Sequence, residues 1–450
     1  MCGIVGYVGN QSAVPILMDG LRRLEYRGYD SAGLAEQLPA GLGVYRSVGR
    51  VSELGKVAPF ESASTAGIAH TRWATHGGVT EDNAHPHLDA TASIAVVHNG
   101  IIDNVALLRE RLESEGVVFK SETDTEVLPH LIRKYYEGDP LSAVRQALSQ
   151  VQGTYGVAVL FHDHPGLIVA ARLGSPLVIG LGEGQTFLAS DPHALVKYTR
   201  RVIFLEDGDL ASITADAVQT TQFDGASSDP TVEELEAGYG TEDKGDFPHY
   251  MLKEIHEQPE AIGRCLRGRV LEREGIAKLG GLELSPRDLA RVRRISLIGC
   301  GTSYHAALLG AMAIEGVARV PASAEIASEY RHRNPVIDPE SLSFAISQSG
   351  ETYDTLGAIK EIQLKGGRVL GVVNSVGSSI ARICGAGVYV HSGPEIAVAS
   401  TKAFTSQVTA LYVFTLMLGR TRTLSPHQGR TFAEGLIGIP DKVAEYLAAP

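Results

Sequence analysis

Cys2, which directly follows Met1, is the residue of this chain best suited to nucleophilic chemistry. Its small side chain allows Met1 to be trimmed, and Cys2 then carries both a thiol and a free α-amino group. An α-amine titrates at about 7.7–8, so at neutral pH it acts as a base toward its own thiol. N-terminal threonine nucleophiles use the same pairing. We therefore predict a catalytic thiol at Cys2; the structural alternative is a cysteine at a frayed chain end, where disorder is common.

Residues 70–77 (HTRWATHG) bring further binding groups into one short segment. Arg72 carries a planar guanidinium, which can grip a carboxylate in two places. Trp73 is the only tryptophan of the chain and is suited to form a lid. This segment is therefore predicted to clamp the carboxylate of a small molecule.

Asn99 and Gly100 can supply a side-chain amide and a backbone N–H to a developing oxyanion. Asp124 can accept a hydrogen bond from a substrate ammonium group. A thiol, oxyanion donors, a carboxylate clamp and an ammonium acceptor together suit an α-amino acid with a reactive side-chain acyl group. Glutamine fits this description.

Each of these residues also has a purely structural interpretation. Arg72 suits an ion pair, and the Asn99-Gly100 dipeptide favours a tight hairpin turn. Asp124 is placed to cap a helix that starts near residue 126. Hydrogen-bonded structural roles are also common for histidines, which here are His76, His85, His87 and His98. Taken singly, none of these residues separates the two interpretations.

From residue 294 onward the sequence repeats a short apolar strand, a polar loop and a helix, which predicts a parallel sheet with right-handed crossovers. Ligands of such sheets bind beyond the carboxyl ends of the strands. Two of these loops are rich in hydroxyls, with Thr302-Ser303 in the first and residues 347–352 in the second. Helix N-termini bind phosphate, and a Walker-type lysine is absent, so a sugar phosphate is favoured over a nucleotide. The structural alternative is that these hydroxyls only cap helices.

The whole chain has 450 residues, of which 44% are hydrophobic and 20% charged, as expected for two or three globular domains. Its four cysteines are too few and too scattered for a disulfide framework or a zinc site. The net charge of −12 argues against nucleic-acid binding. We read no signal peptide and no membrane-spanning run, so the protein is expected in the cytoplasm.

Taken together, the motifs of this chain resemble those of the glutamine–fructose-6-phosphate aminotransferase (isomerizing) family, also called glucosamine-6-phosphate synthases. The resemblance covers essentially the whole chain and is specific as a set. It is carried by residues 2–6, 24–33, 70–77, 83–87, 98–100, 121–126, 249–251, 300–304, 347–352 and 399–404.

This resemblance implies two domains of different fold. Residues 1–226 are expected to form a class II glutamine amidotransferase domain, an α+β N-terminal-nucleophile (Ntn) four-layer sandwich. A linker is expected at 227–247. Residues 248–435 are then expected to form a first sugar-isomerase (SIS) domain, a three-layer α/β fold with a parallel sheet. Residues 436–450 would start the connection to a second SIS domain that this chain does not contain.

The resemblance also implies roles for individual residues. Cys2 corresponds to the nucleophile, and Asn99 and Gly100 to the oxyanion hole. The glutamine-binding positions match Arg72, Trp73, Thr75, His76 and Asp124, with Trp73 as the gate of an ammonia channel. The sugar-phosphate positions match Gly301, Thr302, Ser303, Ser347, Gln348, Ser349, Thr352, Val398 and Ser400.

The implied reaction converts fructose 6-phosphate to glucosamine 6-phosphate with ammonia from L-glutamine, the first step of hexosamine synthesis. It needs no cofactor or metal, and a homodimer is expected. The isomerising residues are expected in the second SIS half, beyond Pro450. Two alternatives stay open: an amidophosphoribosyltransferase-like enzyme, whose acidic diphosphate motif this chain lacks, and a glutaminase joined to a non-catalytic sugar-phosphate sensor.

Overall fold

The computed structural model describes residues 2–25, 28–74, 76–228, 230–235 and 244–449. The chain divides into two units, Met1–Thr241 and Glu242–Pro450. The division falls inside the segment 227–247 that the sequence suggests as a linker. Part of that segment nevertheless belongs to the first unit, because its two short strands pair with strands of that unit.

The first unit is built from antiparallel strands and five α-helices within its described part. Its strands are β1 (Gly3–Val8), β2 (Ser31–Leu38), β3 (Gly41–Val48), β4 (Ala66–Arg72), β5 (His87–Leu88), β6 (Ile94–Ile102), β7 (Gly153–Phe161), β8 (Ile168–Leu173), β9 (Val178–Gly182), β10 (Gln185–Ala189), β11 (Arg201–Phe204), β12 (Asp209–Ile213), β13 (Val218–Gln222), β14 (Ser227–Ser228) and β15 (Val232–Glu234). Its helices are α1 (Ala13–Leu24), α2 (Val51–Val57), α3 (Val105–Ser114), α4 (Val127–Tyr135) and α5 (Pro140–Leu148).

These strands form two sheets, with the orders β15-β11-β9-β10-β1-β4-β2-β3 and β14-β13-β12-β8-β7-β6-β5. Side chains alternate between the faces of a strand, and both faces of β1 are buried. Ile4 and Val8 enter the apolar layer between the sheets, whereas Val5 and Tyr7 pack toward α1 and α2. The helices α3, α4 and α5 cover the outer face of the second sheet. The expected four-layer sandwich is therefore confirmed.

The second unit has a small hairpin and one larger sheet. Its strands are β16 (Val270–Leu271), β17 (Ile276–Ala277), β18 (Arg294–Gly299), β19 (Ala322–Ile326), β20 (Ser341–Ser347), β21 (Arg368–Val373) and β22 (Gly387–Tyr389). Its helices are α6 (Tyr250–His256), α7 (Gln258–Leu266), α8 (Pro286–Arg291), α9 (Gly301–Ala313), α10 (Ala327–His332), α11 (Tyr353–Leu364), α12 (Ser379–Cys384), α13 (Lys402–Arg422), α14 (Pro426–Ile437) and α15 (Ile439–Ala448).

The larger sheet has the order β19-β18-β20-β21-β22, and all its pairings are parallel. One face packs against α7, α9, α13 and α14, where Phe344 meets Phe414. The other face packs against α10, α11 and α12 around Ile298 and Ile359. This gives the expected three-layer α/β fold. No helix in the described parts of the chain has the length and apolar character needed to cross a membrane.

Candidate active site

Cys2 lies at the entry to the central strand of the first sheet. The strand register pairs Gly3 of β1 with Thr71 of β4. This pairing brings Cys2 beside the residues that follow β4. A Cβ at Gly3 would lie 2.7 Å from the Thr71 hydroxyl and 2.9 Å from Leu24 Cβ, so only glycine fits next to the thiol. The Cys2 Sγ accepts a hydrogen bond from the backbone N–H of Trp73 at 3.2 Å. The thiol is thus held by the sheet instead of lying at a frayed end.

Burial raises the pKa of the Cys2 thiol, although the Trp73 N–H and the positive charge of Arg72 act in the opposite direction. A raised pKa keeps the thiol protonated at neutral pH. Attack on a substrate therefore requires a base that takes the thiol proton. The α-amino group of a processed Cys2 is a base of suitable pKa within the same residue.

Asn99 and Gly100 lie within strand β6 and pair with Gly156 and Tyr155 of β7, so the hairpin-turn interpretation is wrong. The Asn99 Nδ2 donates to the backbone carbonyl of Cys2 at 3.2 Å. Gly100 has φ +147°, and a Cβ there would lie 2.0 Å from the Thr154 carbonyl oxygen. Only glycine can occupy this position next to the thiol.

Arg72 ends β4 and points its guanidinium at the loop that follows. It donates to the carbonyl of Gly78 at 3.1 Å and to the carbonyl of His76. Trp73 is 38% exposed and packs edge-to-face on Tyr29, with ring centroids 5.4 Å apart. Thr75, also predicted to bind glutamine, lies outside the described residues.

Asp124 is buried, and its Oδ2 accepts the backbone N–H of Ile102 at 2.9 Å. The N-cap position of α4 is Glu126, which makes no side-chain cap bond, so Asp124 does not serve as the predicted alternative cap. A small cavity joins these groups, and its lining comprises Cys2, Arg72, Trp73, His76, His85, His98, Gly100, Thr123, Asp124 and Thr125. The structure thus brings together the predicted nucleophile, clamp and ammonium acceptor.

Four buried histidines cluster at this cavity, and two of them, His85 and His98, belong to its lining. His85 Nε2 and His98 Nδ1 hydrogen-bond to Thr125 Oγ1 at 3.0 and 2.8 Å, and His87 Nε2 bonds to Thr123 Oγ1 at 2.9 Å. Burial lowers the pKa of His70 and of His87 to about 3. It also lowers the pKa values of His85 and His98. The structural interpretation of His85, His87 and His98 therefore agrees with their contacts, and all four rings are neutral at pH 7.

Because these buried histidines are neutral in the folded protein, we expect the protein to lose stability in acid. In the unfolded chain each histidine binds a proton below about pH 6.5, whereas the folded His87 does so only near pH 3. Between these values the unfolded state holds more protons, so the free energy of unfolding falls by about 1.4 kcal/mol per pH unit for each such histidine as pH decreases.

Urea unfolding at several pH values checks this expectation. His87→Phe should show a shallower loss of stability than the unmodified protein over the same pH range. Identical slopes for the two proteins would contradict a neutral buried His87.

In the second unit, the first hydroxyl-rich loop opens α9. Gly301, Thr302 and Ser303 form its first turn, and the buried Ser303 Oγ accepts a hydrogen bond from Gln407 Nε2 of α13 at 3.1 Å. The strand β18 that precedes this loop pairs in parallel with β20. The two hydroxyl-rich loops therefore follow the carboxyl ends of neighbouring strands, at the same end of the sheet.

The second loop follows β20 and leads into α11. Ser347 Oγ lies 2.9 Å from Thr352 Oγ1 and accepts the backbone N–H of Gly350 at 3.0 Å. Ser349 Oγ accepts the N–H of Glu351 at 3.2 Å. Gln348 accepts the N–H of Asn374 with its backbone carbonyl at 3.2 Å. These bonds fold the loop into a compact turn at the start of a 12-residue helix.

The remaining sugar-phosphate candidates, Val398 and Ser400, lie in the loop before α13. Two carboxylates that the sequence analysis did not single out hold this loop. Glu254 Oε1 accepts the N–H groups of residues 396 and 397 at 2.6 and 3.1 Å. Glu395 Oε1 accepts those of residues 401 and 403 at 2.8 and 3.0 Å. No sequence signal joins Glu254 to a loop 142 residues away.

Comparison with known proteins gives the class of each unit. Residues 70–197 match the model of a glutamine amidotransferase domain, and residues 288–417 match that of the SIS domain. Within the described residues, no group of three or more His, Cys, Asp or Glu side chains is arranged to hold a metal ion.

Relatives match nearly the whole chain. Glutamine–fructose-6-phosphate aminotransferase (isomerizing) of Thermus thermophilus is 49% identical over 99% of this chain and 74% of its own length. The enzyme of that name from Symbiobacterium thermophilum is 47% identical over 100% of this chain and 74% of its own length. This chain belongs to the glutamine–fructose-6-phosphate aminotransferase (isomerizing) family and is an enzyme of that family.

Among solved structures, the chain is similar to the C-terminal domain of glucosamine-fructose-6-phosphate aminotransferase from Francisella tularensis. The two are 36% identical over 44% of this chain and 56% of that one, with a TM-score of 0.42. The family assignment rests on the full-length relatives.

Proposed function

We propose that Cys2 of this chain releases ammonia from L-glutamine and that the second unit binds the fructose 6-phosphate that receives it, with glucosamine 6-phosphate as the product. The glutaminase part of this proposal rests on one observation: Cys2, Arg72 and Asp124 line the same cavity. The identity of the sugar substrate is inferred from the names of the relatives.

In this proposal the Cys2 sulfur attacks the side-chain carbonyl carbon of glutamine, and the α-amine of Cys2 takes the thiol proton. The tetrahedral oxyanion receives hydrogen bonds from the Asn99 Nδ2 and the backbone N–H of Gly100. The C–N bond breaks, and the amine passes its proton to the leaving nitrogen, which departs as ammonia. Water then hydrolyses the thioester to glutamate and returns the thiol.

Substrate orientation follows from charge. Arg72 is assigned to the α-carboxylate of glutamine and Asp124 to its α-ammonium group, because each is the complementary ion at the cavity. Trp73, Thr75 and His76 are assigned to the wall of the pocket. Arg72 already donates to the carbonyls of His76 and Gly78, so it also orders the loop that forms this wall.

The phosphate of the sugar is assigned to the loops at the carboxyl ends of β18 and β20. The residues proposed to contact the sugar phosphate are Gly301, Thr302, Ser303, Ser347, Gln348, Ser349, Thr352, Val398 and Ser400. Support comes from the adjacency of the two loops and from the helix N-termini that follow them, those of α9 and α11. The domain limits, the homodimer and the cytoplasmic location stay predictions.

Glutamate and amino sugar measured side by side test the proposal. It predicts glutamate release from glutamine that depends on Cys2, and binding of fructose 6-phosphate to the second unit. If fructose 6-phosphate leaves glutamate release unchanged and the protein makes no amino sugar, the sensor alternative is favoured.

Removal of one phosphate-binding hydroxyl is expected to weaken sugar binding. Ser347→Ala should raise the dissociation constant of fructose 6-phosphate by about 10- to 100-fold, because a hydrogen bond to a charged group contributes about 1.5–3 kcal/mol. Isothermal calorimetry measures this constant. Glutamate release without sugar should not change.

Ser341→Ala is the matched control, since Ser341 lies at the opposite end of the same strand and bonds to the Asp338 carbonyl. Unchanged sugar affinity in Ser347→Ala, or an equal loss in Ser341→Ala, would contradict the assignment.

A further inference from the structure

His70 contacts the proposed oxyanion donor from across the two sheets of the first unit. Its Nε2 lies 3.0 Å from Asn99 Oδ1. His70 belongs to β4 of one sheet and Asn99 to β6 of the other. His70 is two residues before Arg72 on β4, so both side chains lie on the same face of that strand. The ring is completely buried.

A carboxamide has a donor end and an acceptor end, and only the donor end can stabilise an oxyanion. In Asn99 the donor Nδ2 faces the Cys2 carbonyl, and the acceptor Oδ1 faces His70. Because Oδ1 only accepts, His70 must carry its proton on Nε2 and donate. If Asn99 flipped, the lone pairs of its oxygen would face the developing negative charge.

The bond to the Cys2 carbonyl holds only the donor end of the amide. The Nδ2 group carries two N–H bonds, so one can stay on the Cys2 carbonyl while the other is directed at the oxyanion. The bond from His70 to Oδ1 is on the other side of the amide and can persist throughout. Held in this way, the donor needs no reorientation when charge develops.

The surroundings fix the His70 ring in turn. It stacks on His85, with centroids 4.1 Å apart and planes inclined by 28°. His85 bonds to Thr125, the residue after the proposed ammonium acceptor, and Thr125 also bonds to His98, the residue before Asn99. The ring is therefore anchored to both segments that carry proposed site residues.

We propose that His70 is a positioning residue for glutamine hydrolysis, which donates through Nε2 to Asn99 and keeps the Asn99 amide aimed at the oxyanion. This proposal rests on the proposed function, in which Asn99 stabilises that oxyanion. His70 itself does not touch glutamine in this scheme.

A double-mutant cycle with His70→Phe and Asn99→Ala tests the proposal. His70→Phe keeps a ring of similar size but cannot donate. We expect it to lower kcat for glutamate release by on the order of 10-fold, less than the loss of the donor itself. KM for glutamine should change little, because Arg72 and Asp124 are unaltered. In the Asn99→Ala background, His70→Phe should cause no further loss, since its effect passes through Asn99.

Two additional variants separate positioning from packing. His70→Gln retains a side-chain N–H and should recover part of kcat; it also serves if His70→Phe fails to fold. His87→Phe removes an equally buried ring that bonds to Thr123, and it should leave kcat unchanged.

Alkylation of Cys2 by iodoacetamide provides a readout without an oxyanion, because the thiolate attacks a saturated carbon. Its rate should be the same in His70→Phe and in the unmodified protein. An unchanged kcat in His70→Phe, an equal kcat loss in both Asn99 backgrounds, or a parallel fall in the alkylation rate would each overturn the positioning role. Glutamate release by Cys2→Ala would instead overturn the proposed function.

Discussion

Replacing Cys2 with alanine is expected to lower kcat for glutamate release by on the order of 10⁴-fold or more, since the Cys2 sulfur is the atom that forms the acyl intermediate in the proposed mechanism. The side chain is small, and its sulfur hydrogen-bonds to the backbone of Trp73, accepting from the N–H at 3.2 Å and donating to the carbonyl at 3.6 Å, so the fold should persist without it. Fructose 6-phosphate binding should be retained, because its proposed residues lie in the other unit. Coupled detection of glutamate and calorimetry of sugar binding measure the two properties.

Cys384→Ala is the matched control for this substitution. Cys384 ends α12 in the second unit, and burial raises its pKa to about 12, so it is a poor nucleophile at neutral pH. Glutamate release should be normal in this variant. A Cys2→Ala protein that still released glutamate at a normal rate would refute the assignment of the nucleophile.

Asn99→Ala carries the second largest expected effect. Loss of one oxyanion donor should reduce kcat for glutamate release by about 10²- to 10³-fold, whereas KM for glutamine should stay within a few-fold. The change is expected in kcat and not in KM because Asn99 is proposed to bind the transition state and not the ground state. Steady-state kinetics at saturating and limiting glutamine give both constants.

Asn104→Ala controls for the loss of an amide near the same strand. The Asn104 side chain bonds to backbone groups of residues 150 and 152. Its removal should affect stability and not kcat. If Asn99→Ala raised KM while leaving kcat intact, Asn99 would be a substrate-binding residue and the oxyanion assignment would be wrong.

Much of this site was accessible from residue types alone, because its chemistry requires unusual groups. A cysteine at position 2 and an arginine beside the sole tryptophan stand out in any sequence. The parallel sheet of the second half followed from its repeated strand, loop and helix pattern, whereas the layer architecture was implied by the family resemblance.

The role of Asn99-Gly100 could not be decided in that way. This dipeptide favours turns by its local propensity, but pairing with β7 keeps it within a strand, where Gly100 has a positive φ of +147° that favours glycine. Tertiary pairing overrides local preference here. The same limit applies to Asp124, whose spacing suits a cap although its carboxylate bonds to Ile102.

Contacts between segments that are distant along the chain could not be predicted from the sequence. His70 reaches Asn99 only because two sheets face each other, and Glu254 reaches the loop before α13 only because α6 packs there. Neither contact produces a periodic pattern in the amino-acid sequence from which it could be predicted. Both residues look like ordinary members of a strand or a helix until the fold is known.

The most direct test of the account is the identification of the acylated residue during turnover. The protein would be mixed with glutamine, quenched in acid and digested, and the N-terminal peptide analysed by mass spectrometry. We predict a glutamyl thioester on the sulfur of Cys2, in a peptide that has lost Met1. Glutamate production at the full rate with Met1 retained, or with the acyl group on another residue, would contradict the account.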